Sequence, residues 1–492
     1  MPDLLGAAVA ASRFGLGARP GELATIAGDP RGWVKAQLAG AMVEPPAIAA
    51  LPPCEDDMLA YGRVLLSRRL REEDTARVRQ QAERLGVSAS ALEQFGEGEG
   101  YRAQFIERMA GAVSARLEAA LTSPFPARER LVHFWSNHFT VSNARRQSAA
   151  LPPSFEREAI RPHIAGRFSE MLRASCGHPG MLVYLDNWIS IGPNSVWARN
   201  PRQAPRFPGV GRPEGLNENL AREVLELHTL GVNGGYTQSD VQGLAAMLTG
   251  WTHAQLGLPQ LLAGTAGRRT GPGLFVFAAD GHEPGAKTLL GQSFRQSGVD
   301  QAEAALEMLA TQPATARFIA TKLARHYVAD QPLGALVDRL AAVFLQTDGD
   351  LRAVFFALVD SPEAWEAPLA KFKRPEEYLI GLLRGCGQDT FPREIGAAAL
   401  EQMGQRPYAA PGPNGWSDEA AAWLNANLVW KRIEFAQGLA ARLARADVSA
   451  QRFLDDALGP LASPQTREAI ARADSPVQAM TLAFASPELQ RR

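Results

Sequence analysis

The sequence predicts an all-α fold: one large multi-helix globular body with one minor β-hairpin and long ordered loops. Three observations predict it. Hydrophobic residues make up 46 % and charged residues 21 % of the 492, which supplies a sizeable core and is far from the composition of disorder. Apolar positions recur at helical spacing along most of the chain. Only two short runs, Leu274 to Phe277 and Lys287 to Phe294, read as β, and they flank Asp280-Gly281-His282-Glu283-Pro284-Gly285, a turn that would join them as one hairpin.

Taken in order, the first forty residues begin with a short helical stretch. Arg13-Phe14-Gly15-Leu16-Gly17 then reads as a tight turn, since a G-x-G without a preceding strand is weak support for phosphate binding. The run from Pro45-Pro46 to Pro52-Pro53 reads as a linker. Between about 58 and 121, helical spacing predicts two long helices with solvated charged faces, joined by the acidic, glycine-rich stretch from Gly96 to Gly100. Ser123-Pro124-Phe125-Pro126 is a helix start, and that helix runs to about Phe139. Further helices are expected at about 155–175, 216–230, 238–250, 301–310, 314–328, 334–345, 349–359, 375–386, 419–445 and 450–490. Three connections are unusually long, near 177–215, 252–273 and 404–417. Loops of that length inside a compact domain are usually functional or disordered. Their prolines and aromatics favour ordered loops packed over a shared surface.

Several function classes are disfavoured. Lys plus Arg number 51 and Asp plus Glu 52, a net charge of -1, so no basic excess points to nucleic acid or to an acidic membrane surface. Cys54, Cys176 and Cys386 are odd in number, far apart and without C-x-x-C spacing, which argues against a zinc knuckle or a thioredoxin-type site. All three are expected reduced. The first eleven residues lack a positive n-region, and no run of about 18 apolar residues occurs, so the default expectation is a cytoplasmic protein. There is no Walker loop, no G-x-S-x-G elbow and no strand-linked dinucleotide fingerprint.

The first candidate site lies on the helix from Leu216 to His228. At about 100° per residue, Asn219, Arg222, Glu223 and Glu226 form one narrow polar stripe opposite Leu220, Val224 and Leu227. Such a stripe suits a helix lining a buried polar cleft. Glu223 and Glu226, one turn apart, would bind a divalent cation or act as an acid/base pair, with Arg222 to orient them. The alternative is a structural network in which Arg222 neutralises them. The second candidate is Arg130, His133 and Asn137, which share a helix face. His133 is the proton carrier there, while His138 falls elsewhere and suits a bond to a carbonyl. Asp186-Asn187 fits a turn or a cleft. His282 and Lys287 flank the Pro-Gly turn. Lys322, Arg325 and His326 make a basic face, either part of a network or an anion site. Lys371, Lys373 and Arg374 read as a solvated helix start.

These motifs together resemble the domain-of-unknown-function 1800 family. The resemblance rests on Arg13 to Gly17, His133-Phe134-Trp135-Ser136-Asn137-His138-Phe139, Tyr184-Leu185-Asp186-Asn187, Asn217-Glu218-Asn219-Leu220-Ala221-Arg222-Glu223 and Leu248-Thr249-Gly250-Trp251. It continues through His282 with Gly285 to Gly291, Lys322-Leu323-Ala324-Arg325-His326, Ser361-Pro362-Glu363-Ala364-Trp365, Lys371-Phe372-Lys373 and Gly415-Trp416 with Asp418. It implies a single family domain over 1–492. One departure is Glu283, where the family leads one to expect Asp. The resemblance carries no established activity or cofactor. It implies a neighbour, a domain-of-unknown-function 1501 family protein, as a partner. Two functions therefore stand side by side: an enzyme with a buried acidic and basic cleft, or an accessory protein that escorts or scaffolds that partner.

Overall fold

The structure is a computed structural model that describes residues 2–58, 99–144, 148–205, 215–254, 275–392, 396–443 and 449–492, with side chains from 105 onward in the helix that opens at 99. Helices dominate, and the apolar side chains they bury form one continuous cluster from Ala7 to Leu489. The helix starts follow elementary rules. Proline stands in the first turn of Pro30–Ala39, Pro126–His138, Pro313–Tyr327, Pro375–Gly385, Pro464–Ala471 and Pro476–Phe484, where its missing N–H is no loss. Side-chain caps close others: Thr237 and Asp240 cap Gln238–Leu248 reciprocally, and Asp350 caps Leu351–Asp360.

Pairs of helices build the core. Pro313–Tyr327 packs on Gly334–Gln346, which packs on Leu351–Asp360, while Ala426–Leu443 packs on Pro476–Phe484 and Glu99–Thr122 on Pro375–Gly385. Near the N-terminus, Leu4–Val9 continues as a π turn over Ala10–Phe14. Gly17 follows at φ 101°, and a Cβ there would lie 2.9 Å from the Cα of Gly381. This glycine therefore lets two backbones touch.

The all-α expectation holds, with four corrections of detail. The single hairpin is replaced by two two-stranded sheets. Phe275–Phe277 pairs with Trp251–His253, and Lys287–Leu289 pairs with Gln292–Phe294. The tight turn at Leu290-Gly291, both residues with positive φ, closes the second pair locally. The Pro-Gly turn instead separates the two sheets. The stretch 177–215 is no bare loop: it contains Pro179–Tyr184, Asn187–Ile189 and Val196–Arg199. The helix expected at 155–175 breaks near Gly166 and restarts as Phe168–Gly177. The region 450–490 divides into Ala450–Ala457, Pro464–Ala471 and Pro476–Phe484, each capped by a serine. The glycine-rich joint from Gly96 and most of the loop at 252–273 lie outside the described residues, although Glu99 already belongs to the Glu99–Thr122 helix. Cys54, Cys176 and Cys386 are free thiols. Among the described residues no helix is long and apolar enough to cross a membrane.

Candidate functional site

Pro126–His138 is buried along almost its whole length although it carries Arg128, Glu129, Arg130 and His133. Buried charges need partners, and the surrounding helices supply them. Arg130 Nη1 donates to Glu377 Oε1 at 2.9 Å, and Glu377 Oε2 accepts from Arg492 Nε at 3.1 Å. Arg161 grips both oxygens of Glu129, at 3.1 and 2.9 Å. Arg116 donates to Glu156 Oε2 at 2.8 Å and also to Glu376. Burial by itself would raise the Glu377 carboxyl, but Arg492, Arg130 and Arg374 together hold it well below the usual range.

The basic cluster before Pro375 differs from expectation. Lys371, Lys373 and Arg374 are buried, not solvated. Lys371 exchanges backbone hydrogen bonds with Arg492 at 3.0 and 2.9 Å, and Lys373 Nζ donates to Leu489 O at 2.9 Å. A backbone pairing between distant segments thus covers residues whose charge suggested exposure.

Two adjoining cavities open beside this network. The inner one is lined by His133, Arg116, Glu156, Arg374, Glu376 and Tyr408. His133 Nδ1 lies 4.0 Å from Glu376 Oε2, and His133 Nε2 is buried without a hydrogen-bond partner. Burial, reinforced by Arg116, Arg161 and Arg374, keeps His133 well below the usual imidazole range, so it is neutral at pH 7. Burial raises the Glu376 carboxyl, against the pull of Arg116 and Arg374. A neutral imidazole with an open nitrogen beside a carboxyl that holds its proton more tightly is an arrangement that can accept and return a proton.

The outer cavity is a cleft of about 480 Å³ lined by Lys322, Arg325, Trp416, Asp418, Glu419 and Trp423, and it shares Asn137 and Trp416 with the inner one. Asn137 fixes the boundary. Its Nδ2 donates to Trp416 O at 2.8 Å and its Oδ1 accepts from Trp416 N at 2.7 Å. Gly415, at φ 74°, permits this approach, because a Cβ there would lie 2.4 Å from Asn137 O. The connection expected near 404–417 therefore lies flush on the end of the His133 helix.

Charges in the outer cleft are unevenly matched. Asp418 Oδ1 accepts from His326 Nδ1 at 2.7 Å and lies 3.8 Å from Arg374. Burial pushes His326 down to about 4, so the neutral ring donates its Nδ1–H to an ionised Asp418. Although burial opposes it, the Asp418 carboxyl sits well below its usual range because of His326, Arg374 and Lys371. Glu419 lies 3.6 Å from Arg325. Lys322 is different. Burial lowers its ammonium to about 8 against the pull of Asp418, it stands over the Phe318 ring at 5.5 Å, and among the described residues no carboxylate or carbonyl hydrogen-bonds it.

The other sequence candidates lie apart from these cavities. Arg222 donates to Glu218 Oε2 at 2.9 Å and to Gln238 Oε1 at 3.0 Å, Asn219 is exposed, and Glu223 and Glu226 are half-buried. Burial and then Glu226 raise the Glu223 carboxyl. Among the described residues the stripe is half-exposed and lines neither of these two cavities. Its helix meets the His133 helix at His138, whose Nε2 lies 3.1 Å from His228 O. Spacing fixes which residues share a helix face, but not what that face meets. Asp186, at φ 57°, and Asn187 serve as braces: Asn187 Nδ2 donates to Leu248 O and Trp251 O at 3.1 and 3.0 Å. His282 Nδ1 lies 2.9 Å from Thr249 O, and Lys287 donates to Glu283 O with His282 Nε2 at 3.4 Å. Glu283 in turn accepts from Asn194 N and Nδ2, both at 2.8 Å, so this acid holds a loop.

Among the described residues, Cys54, Glu158 and His178 are the one group of three whose ligand atoms lie within 4.8 Å of one another. His178 Nδ1 accepts the Gly180 N–H at 3.0 Å, so the neutral ring carries its proton on Nε2, facing Glu158 Oε2 at 3.4 Å. His178 thus braces the backbone at Gly180 and the Glu158 carboxylate, which also accepts from Cys54 N at 2.7 Å. Glu223 and Glu226 gain no third ligand among the described residues.

Sequence reasoning missed Arg116, Glu156, Glu376 and Tyr408. Arg116 and Glu376 sit in stretches whose charges read as solvated. Tyr408 sits in a proline-rich loop at φ 57°. A helix start with three basic residues and two acids, all next to apolar sequence, was the available signal for Glu376.

The chain matches the model of a family described as a protein of unknown function, DUF1800, over residues 9–491. No curated protein and no solved structure matches it. Since the family match spans nearly the entire chain, the chain belongs to that family.

Proposed function

For this member of the DUF1800 family, we propose an enzyme that moves a proton on a small anionic substrate held in the outer cleft beneath the 404–419 segment, at its border with the inner cavity of about 50 Å³. The observation that carries this reading is His133 Nε2, buried without a hydrogen-bond partner among the described residues, on the wall of one cavity, with the half-buried ammonium of Lys322 lining the adjoining one. Native folds keep buried polar groups satisfied, so exceptions point to a role. Lys322 would neutralise the substrate's negative charge. Neutral His133 would accept a proton at Nε2, and the raised Glu376 carboxyl would supply or take back a proton on the other side. Arg116 and Arg374 would steady negative charge that develops at the inner cavity. Glu223 and Glu226 have no place in this scheme.

The test is a thermal-shift screen of the intact protein against small carboxylates and phosphates, with a native mass spectrum of gently purified material alongside. At least one anion should raise the melting temperature of the wild type and not of Lys322→Met. If no anion shifts the wild type, or the shift persists in Lys322→Met, the reading is wrong. His133→Gln should bind the same anion and turn nothing over once a substrate is found.

A second reading has its own observation. Leu424, Trp430 and Ile433 are exposed large apolar residues on and just before the Ala426–Leu443 helix, the kind of surface that marks a binding face. In this accessory reading the partner would be the domain-of-unknown-function 1501 protein. Of the Pro/Arg-rich stretch at 193–213, a further contact surface in this reading, residues 206–213 lie outside the described residues. Co-elution of the two proteins that survives Trp430→Glu would remove this face from consideration.

A further inference from the structure

The outer cleft has an aromatic wall as well as a cationic one. Trp416 and Trp423 stand 5.9 Å apart at 45°. Trp423 is buried, and its Nε1 donates to Ser417 O at 3.0 Å, so its ring is fixed. Trp416 is only half-buried and lines both cavities, while its backbone N and O are held by Asn137. A large apolar ring is thus kept in place by its main chain and left partly uncovered toward the cleft. Around it stand the side chains of Asn414 and Ser417, which can exchange hydrogen bonds with hydroxyls, and the ammonium of Lys322.

An indole face is electron-rich and attracts the electropositive edge of a C–H bond. A flat apolar plate, polar groups at its rim and a half-buried ammonium that no described carboxylate hydrogen-bonds are complementary to a saturated ring with C–H bonds on its face, hydroxyls at its edge and an acid group. We infer that the cleft binds a single acidic sugar unit, with its ring against Trp416 and its carboxylate or phosphate on Lys322. The cleft of about 480 Å³ falls within the roughly 300–1,000 Å³ of small-molecule sites. Asp418 and Glu419 do not oppose an anion, because His326, Arg374 and Arg325 already face them. This inference rests on the reading of the cleft as an anion site and adds the chemical class of what occupies it.

The experiment titrates the intact protein with glucuronate, glucose 6-phosphate, glucose, acetate, phosphate and benzoate, followed by tryptophan fluorescence and by calorimetry. Glucuronate or glucose 6-phosphate should bind at least tenfold more tightly than glucose, than the matching ringless anion and than benzoate. Trp416→Leu, and Trp416→Phe as the milder change, should weaken the acidic sugar about tenfold and about threefold while leaving the binding of the ringless anion unchanged. Both variants should melt cooperatively near the wild type, which separates loss of the plate from loss of the fold. Benzoate binding more tightly than the sugars, or acidic sugars binding no better than acetate and phosphate, overturns the sugar class and leaves the anion site standing. If none of the anions binds, both fall together.

Discussion

Two charged regions lie side by side in this core and are built on opposite principles. Around Glu377, three guanidiniums converge on one carboxylate, and the carboxyl is held firmly ionised. Around Lys322 and His133, an ammonium near Asp418 and an imidazole nitrogen face cavities without a hydrogen-bond partner among the described residues. Both regions are buried and both are rich in charge, so composition does not separate them. Completeness does. A saturated network holds helices in register, whereas an unsaturated one stores free energy that a ligand can release.

The contrast can be broken by substitution. The largest effect is expected at Glu377. Glu377→Gln leaves Arg130, Arg492 and Arg374 buried beside a neutral amide, and breaking such a pair costs about 3–5 kcal/mol. Urea unfolding would measure it, and a loss below about 1 kcal/mol would mean that the network is not structural. The next effect is at Gly415. Gly415→Ala places a Cβ 2.4 Å from Asn137 O at φ 74°, which should destabilise by about 1–3 kcal/mol and lift the loop. Anion binding in the thermal-shift screen should weaken with it.

Lys322 predicts the reverse sign. Lys322→Met removes a half-buried charge that no described residue hydrogen-bonds and should stabilise the protein by about 0.5–2 kcal/mol while abolishing anion binding. A lysine held at about 8 when folded and near 10.4 when unfolded sets the pH behaviour. Between those values the unfolded chain holds a proton that the folded chain lacks, so this group's contribution to stability rises with pH in that window. Anion affinity moves the other way and falls above about pH 8, as the ammonium facing Asp418 and Arg325 loses its proton. Stability and binding profiles that both stay flat across this window would contradict the assignment. The smallest effect belongs to Arg222. Its ion pair with Glu218 is a partly exposed pair one turn apart, and Arg222→Ala should change stability by only about 0.3–0.5 kcal/mol and leave anion binding intact. A large loss of binding there would return attention to the Glu223 stripe.

How much of this was legible in the sequence follows from the range of each interaction. The start at Pro126 is a local signal and is legible, as is a helix from about 238, whose cap at Thr237 the structure adds. The pairing of Phe275–Phe277 with Trp251–His253 was not, because the nearer turn at Asp280 to Gly285 looked sufficient and strand pairing carries no label for its partner. The helix face of His133 was legible from its spacing to Arg130 and Asn137. Its neighbour Glu376 was not, since nothing in a helix period tells which distant helix will close the cavity. The acidic stripe at Glu223 was read as a periodic pattern, and its half-exposed setting became visible only with the fold.

The side-chain amide of Asn137 holds Trp416 through that residue's peptide N–H and C=O alone. Its amide is blind to whatever side chain position 416 carries. The seat of the loop and the identity of the ring are therefore set by separate residues, so the two can be inherited independently. Relatives can retain Asn137 and Gly415 and still diverge at 416 without forfeiting the architecture. A laboratory library aimed at new ligand preferences has its natural starting position there.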